Sequence, residues 1–176
     1  MDNEVYLNRE YSKYVSGAAI ESPLRLYQCD VAAEWVDYNG HMSESFYLFA
    51  FGDASDALFR FVGIDEAYRA SGFSFYTVES HINYFLEASE GEPLSFATQL
   101  LGLDQKRLHF FHSMYHTESG DLLATTEQML LHVDMNQAKA APIKTTVFDA
   151  LSDIANSHKS MDIPKQVGRV MAVKYK

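Results

Sequence analysis

An α+β domain, with a curved antiparallel sheet wrapped around one long central helix, is the fold class this sequence predicts. Three observations predict it. Residues 43–62 carry a single long helical signal, with apolar side chains at Phe46, Phe49, Ala50, Ala54, Ala57, Leu58 and Phe61. After residue 72 the texture changes to extended runs separated by turn residues. Finally, 176 residues with 47% hydrophobic content suffice for one domain with a real core.

The elements follow in order. Residues 1–22 show no clear period and are expected to form an N-terminal arm. Residues 24–34 read as a first strand, since Leu24, Leu26 and Gln28 alternate with Arg25, Tyr27 and Cys29. Residues 35–42 form a loop with the turn signal Asn39-Gly40. Ser43 is a candidate N-cap whose hydroxyl can accept from a free N–H of the first turn. Gly63 suits the C-terminal cap, and residues 64–72 add a short helical turn.

Runs at 73–87, 94–103, 107–116 and 122–134 are separated by "EGEP", "LDQK" and "TESGD". That spacing predicts consecutive antiparallel hairpins. Residues 143–158 read as a C-terminal helix, and residues 161–176 as a polar tail. The central helix is apolar nearly all round, which fits a sheet curling about it. This is the hotdog architecture, expected over residues 23–160. Such a sheet leaves an open edge that a second copy usually pairs, so a homodimer or a dimer of dimers is expected.

The net charge is −10. A nucleic-acid binder needs a basic stripe, and an anionic membrane surface repels an acidic chain, so neither partner is expected. A cationic substrate group is electrostatically welcome. One cysteine, Cys29, rules out an internal disulfide. With a polar N-terminus and no run long enough to span a bilayer, the chain reads as cytoplasmic.

Asp37, Asn39, Gly40 and His41 crowd the loop before the central helix. By local pattern alone they are turn chemistry plus a cap. Their position adds a second reading. The first helical N–H groups are unsatisfied and partly positive, so they can polarise a carbonyl and stabilise an oxyanion. Asp37 is then a base or a nucleophile, with Asn39 and His41 as hydrogen-bonding groups. These are the parts for acyl transfer to water.

The run from Asp37 to Met42 resembles the active-site loop of hotdog acyl-CoA thioesterases, including the 4-hydroxybenzoyl-CoA thioesterase type. The resemblance implies that Asp37 is the catalytic carboxylate. It also implies that backbone amides of Ser43, Glu44 and Ser45 polarise the thioester carbonyl. The Asp-x-Asn-x-His spacing is similar to plant acyl-carrier thioesterases, matching Asp37, Asn39 and His41. Many relatives continue with Val-Asn-Asn, where this chain has Met42-Ser43-Glu44. Hotdog hydratases use Asp-x-Asn-Pro-x-His, but here Gly40 stands at the proline and Met42 at the histidine, which favours hydrolysis. A non-catalytic acyl-CoA or betaine-binding module is the other alternative.

A closer resemblance is to the thioesterases of carnitine breakdown, which also occur fused to L-carnitine dehydrogenase. It covers residues 24–160 through "EWVDYNGHM", "FGDASDALFRFVGID", "FYTVESHINY", "KRLHFFHSMYH" and "LLATTEQMLLHVD". It implies an acyl-CoA substrate, betainyl-CoA, cleaved to glycine betaine and coenzyme A without a cofactor.

A trimethylammonium group is held by aromatic faces with a nearby carboxylate. Trp35, Tyr38, Tyr47 and Tyr76 are candidates for the faces and Glu79 for the charge. Core packing is the alternative for each ring. Glu79 shares a strand face with His81; turned inward it would orient His41 or water, turned outward it is a solvated charge. Lys106 and Arg107 at a hairpin edge are candidates for the phosphates of coenzyme A, against a plain solvated turn. "HFFHSMYH" invites a metal reading, but on a strand His109 points away from His112 and His116, so no metal site is expected. No Gly-x-Ser-x-Gly elbow is present, which speaks against an α/β-hydrolase.

Overall fold

The computed structural model describes residues 12–173. Strand β1 is Leu24–Asp30. It stops four residues before the expected end. The alternation ends at buried Val31, and Ala33–Trp35 turn as a short 3-10 segment instead.

Helix α1 is Glu44–Phe61. Ser43 holds the N-cap position with extended backbone, but its hydroxyl makes no capping hydrogen bond. Gly63 ends the helix as expected. Its φ of +92° lets its N–H reach the carbonyl of Arg60 at 3.2 Å and that of Ile64 reach Phe59 at 2.8 Å. These are the two bonds of a Schellman cap. Helix α2, Glu66–Ala70, starts on Asp65, whose carboxylate accepts from the Tyr68 N–H at 3.0 Å.

The strands are β2 (Phe73–Tyr84), β3 (Pro93–Leu103), β4 (Arg107–His116) and β5 (Leu122–Asp134). A short β6, Lys139–Ala140, pairs with β5 and was not anticipated. Helix α3 is Thr145–His158. The sheet order is β1-β3-β4-β5-β2. β3–β4 and β4–β5 are the predicted hairpins. β2 breaks the expected series: it pairs antiparallel with β5, Phe73 opposite Asp134 and Tyr84 opposite Ala124, at the far edge. The chain leaves the sheet where Phe85 and Leu86 both donate to the Leu123 carbonyl. Residues 85–92 then cross from one edge strand towards β3, passing the start of α1. A sheet curled around a helix needs such a crossing to close its end.

Helix α1 lies in the concave face, and Phe51, Phe96 and Phe110 are fully buried there. Each such ring contributes about 1.5–3 kcal/mol of burial. A polar row separates two apolar clusters. In it, Thr98 on β3 and Ser55 on α1 flank the fully buried His112 of β4, at 2.8 Å from Nδ1 and 3.0 Å from Nε2. Ser55 also donates to the Phe51 carbonyl at 2.9 Å, so it accepts from Nε2 while the Thr98 hydroxyl donates to Nδ1. Both nitrogens of a neutral imidazole are satisfied, and burial pushes its pKa down to about 3.

Helix α3 covers β3 beyond the last rung with β1: the Leu100 N–H donates to Nδ1 of His158 at 3.0 Å. Residues 1–11 of the expected arm and 174–176 of the expected tail lie outside the described residues. The described part of the arm packs on α3, with the Tyr14 hydroxyl donating to Asp153 and the Ser22 and Ser157 hydroxyls 2.6 Å apart. The tail crosses the convex face, where the Gly168 N–H donates to Glu127 at 2.8 Å. Among the described residues no helix is long and apolar enough to cross a membrane.

Candidate active site

The loop between β1 and α1 folds into a miniature hairpin. Val36 and Met42 form an antiparallel bridge, and the Asp37 N–H donates to the His41 carbonyl at 3.0 Å. At the tip the Gly40 N–H donates to the Asp37 carbonyl at 3.0 Å, which its φ of +84° permits. The Asp37 carboxylate accepts from the Asn39 N–H at 2.7 Å and from the Asn39 amide at 3.4 Å. The turn chemistry is therefore real. It does not exhaust the carboxylate, which has about four acceptor positions.

Two backbone bonds fasten this hairpin in place. The Met42 N–H donates to Ala88 at 2.7 Å, and the Ser43 N–H to Trp35 at 2.9 Å. The second bond removes Ser43 from the three expected oxyanion donors, because its proton is already given to a carbonyl. The Glu44 and Ser45 amides make no hydrogen bond among the described residues. They are the open N–H groups of the first turn of α1, where the helix dipole is positive.

A cleft of about 640 Å³ opens beside them. Asp37, Asn39, His41 and Met42 line one side, with Glu44 and Tyr47 from α1. Tyr84, Phe85, Leu86 and Glu87, at the end of β2 and the start of the crossing, line the other. His41 Nδ1 stands 3.2 Å from a Glu87 carboxylate oxygen. The Tyr84 hydroxyl donates to the Glu44 carbonyl at 3.2 Å, and that of Tyr47 to the Leu86 carbonyl at 3.3 Å. The two phenol rings meet edge to face, with centroids 5.3 Å apart. Burial, with smaller contributions from nearby carboxylates, raises both phenol pKa values, so both remain neutral donors at neutral pH.

Of the residues singled out in the sequence, Asp37, Asn39, His41, Glu44 and Tyr47 share this cleft. Trp35 does not line it; the indole stacks on Phe46 at 5.9 Å and meets Phe49 edge-on, supporting the helix start from behind. Tyr38 is 97% exposed at the hairpin tip. Tyr76 and Glu79 sit on the convex side of β2. A bulge between Thr77 and Glu79 reverses the alternation that Phe75 begins, so Glu79 stands opposite Met129 and next to His81, His109 and Glu127. Within one chain Glu79 therefore lies outward, away from His41.

Lys106 and Arg107 belong to the turn at the other end of the sheet. Arg107 pairs with Leu131 and Tyr84 with Ala124, so about 23 Å of strand separates those rungs. Arg107 is held by Asp104 at 2.6 Å, and this guanidinium with two backbone N–H groups lowers the Asp104 pKa to about 2. The three histidines of β4 diverge: His112 is buried inward, His109 pairs with Glu127 at 2.8 Å on the outside, and His116 accepts from Ser119.

Tyr84, Phe85, Leu86 and Glu87 were missed. Their signal in the sequence was the end of a long β-like run, and nothing local shows that this end returns to the helix start.

The thioesterase-like superfamily matches residues 31–151. The chain is 49% identical over 147 residues to an L-carnitine dehydrogenase/betainyl-CoA thioesterase of Rhizobium meliloti, covering 84% of this chain but only 30% of that protein. It is 44% identical over 151 residues to a betainyl-CoA thioesterase of Pseudomonas aeruginosa, covering 85% of this chain and 95% of that one. A crystal structure from Pseudomonas putida KT2440 superposes with a TM-score of 0.76 at 35% identity, over 88% of this chain and 99% of its own. A Staphylococcus aureus protein in complex with CoA superposes at 0.79 over 90% and 100%, and at 24% identity that likeness speaks for the fold alone. On the extent of the family match and the identity to these relatives, the chain belongs to the thioesterase-like superfamily.

Proposed function

We propose that this chain hydrolyses an acyl-CoA thioester, with betainyl-CoA as substrate and glycine betaine and coenzyme A as products. One observation carries the chemistry: Asp37, His41 and the start of α1, with its open Glu44 and Ser45 amides, border a single cleft. The relatives named for betainyl-CoA support the acyl group.

In this reading the thioester carbonyl oxygen points at the Glu44 and Ser45 amides, which take up the charge that develops as the carbonyl carbon becomes tetrahedral. Asp37 either removes a proton from the attacking water or adds to the carbonyl itself, forming an anhydride that water then opens. Either route expels coenzyme A as a thiolate, a good leaving group, so strong acid assistance is not required. Asn39 holds the Asp37 carboxylate in place, and His41 positions water or the carbonyl. Lys106 and Arg107 stay outside this cleft within one chain.

A homodimer belongs to the same reading. Residues 76–80 are exposed at the open edge of the sheet, with Tyr76 and Val78 each more than half exposed. An exposed edge of that length is suited to pairing with a second copy. A chain with a single cysteine and this chemistry also fits a cytoplasmic enzyme.

The test is thiol release from betainyl-CoA, acetyl-CoA and 4-hydroxybenzoyl-CoA, compared by kcat/KM. Betainyl-CoA is expected to lead by about tenfold or more. No thiol release from any of the three would overturn hydrolysis, and a flat profile would overturn the substrate.

A further inference from the structure

The cleft has a one-sided charge. Asp37, Glu44 and Glu87 line it, and no Lys or Arg does. Glu44 comes from the first turn of α1 and Glu87 from the crossing, so carboxylates reach it from two separate segments. Between them stand the rings of Tyr47 and Tyr84, at 88° to one another. Two aromatic surfaces at a right angle, bordered by carboxylates, form a corner that suits a quaternary ammonium group.

We infer that Glu44 and Glu87, with Tyr47 and Tyr84, form the subsite that reads the positive charge of the acyl group. This rests on the hydrolysis reading above and names the residues that select within it. In a betainyl thioester the nitrogen is two bonds from the carbonyl carbon, so its subsite must adjoin Asp37. The corner satisfies that requirement because it belongs to the same cleft. Tyr84 also fixes the Glu44 backbone through its hydroxyl, which ties the ring to the helix start. Each ring lies in the field of one acid, since the Glu87 charge raises the Tyr47 phenol and the Glu44 charge that of Tyr84, in addition to burial. A cation bound there offsets the mutual repulsion of three carboxylates. A neutral acyl group of the same shape leaves that repulsion in place, and an anionic acyl group adds to it.

The experiment compares betainyl-CoA with 3,3-dimethylbutanoyl-CoA, in which a carbon replaces the charged nitrogen and the shape is kept. The full-length chain is used, with Glu44→Gln, Glu87→Gln and the double variant. The ratio of the two kcat/KM values is expected to fall about threefold to fivefold in each single variant and about tenfold or more in the double. It is also expected to fall with added salt in the wild type. An unchanged ratio would overturn the inference. So would equal losses on both substrates, the signature of acids that only position His41 or the helix start.

Calorimetric binding of the two dethia ketone analogues, which cannot be hydrolysed, separates this inference from the one beneath it. If neither thioester is cleaved but the analogue Kd ratio still responds to Glu87→Gln, the hydrolysis reading falls and the subsite stands. An analogue ratio that ignores both acids overturns the subsite whatever the turnover.

Discussion

His41 and Glu87 meet across the mouth of the cleft, 3.2 Å from Nδ1 to carboxylate, although one precedes the central helix and the other follows β2. The contact reports that the loop before α1 and the crossing after β2 close on each other. Both side chains are substantially exposed, so the pair is worth only about 0–1 kcal/mol to folding. His41→Ala should therefore shift Tm by little while lowering kcat on betainyl-CoA about a hundredfold. Parallel melts and steady-state kinetics check both halves. A large Tm loss would make His41 a structural residue instead.

Asp37 serves its turn and the proposed chemistry with the same carboxylate, and one pair of variants separates the two. Asp37→Asn keeps an oxygen for the Asn39 N–H but has no basic or nucleophilic carboxylate. It should retain stability within about 1 kcal/mol while losing turnover by about a hundredfold or more. Asp37→Ala should lose turnover equally and a further ~1 kcal/mol of stability. Near-normal hydrolysis by Asp37→Asn would remove Asp37 from the mechanism.

The buried His112 imposes a pH dependence on folding. Its pKa is about 3 in the folded chain against 6.5 unfolded. Between those values the unfolded chain binds a proton that the native chain does not. Its contribution is therefore complete above pH 6.5 and is lost as pH falls toward 3, at up to about 1.4 kcal/mol per pH unit. Burial depresses His132 and His158 in the same direction. His112→Gln, though less stable at pH 7, should show a flatter decline of Tm from pH 7 to pH 5. An identical slope would contradict the neutral buried imidazole.

Gly63 closes α1 with φ at +92°, and a Cβ there would meet no atom within 4 Å. The cost of Gly63→Ala is then backbone strain alone, about 1–2 kcal/mol. Denaturant unfolding should show a lower midpoint with an unchanged slope, and activity per folded molecule should be retained.

The open edge of β2 gives the assembly prediction. Val78→Asp places a charge at an exposed edge position and should shift a homodimer toward monomer, read by sedimentation velocity. A species unchanged in mass, or a wild-type chain that is already monomeric, would contradict edge pairing.

Local pattern sufficed where a contact is short-range. The limits of β4 and β5, the Gly63 cap, and the Asp37 to His41 cluster beside the helix start were all legible, because alternation, capping and turns are set by neighbours in sequence. The partner of β2 was not legible. Its apolar alternation fits a hairpin with β3 as well as a ladder with β5, and only closure of the sheet around α1 selects the second. The bulge at Val78 was also invisible. One extra residue reverses the facing of Glu79 without altering composition.

The sequence by itself determined one long buried helix, an antiparallel sheet to cover it, and a polar loop at that helix's amide end. Tertiary structure alone decided what stands opposite the loop. Tyr84 and Glu87 lie more than forty residues beyond Asp37, and they reach it because the crossing after β2 passes over the start of α1. Which Ser43, Glu44 and Ser45 amides stay open was decided in the same way, since the Trp35 carbonyl takes Ser43. Periodicity carries the facing of residues within an element. The meeting of two elements depends on how the whole sheet closes, and no local window holds that information.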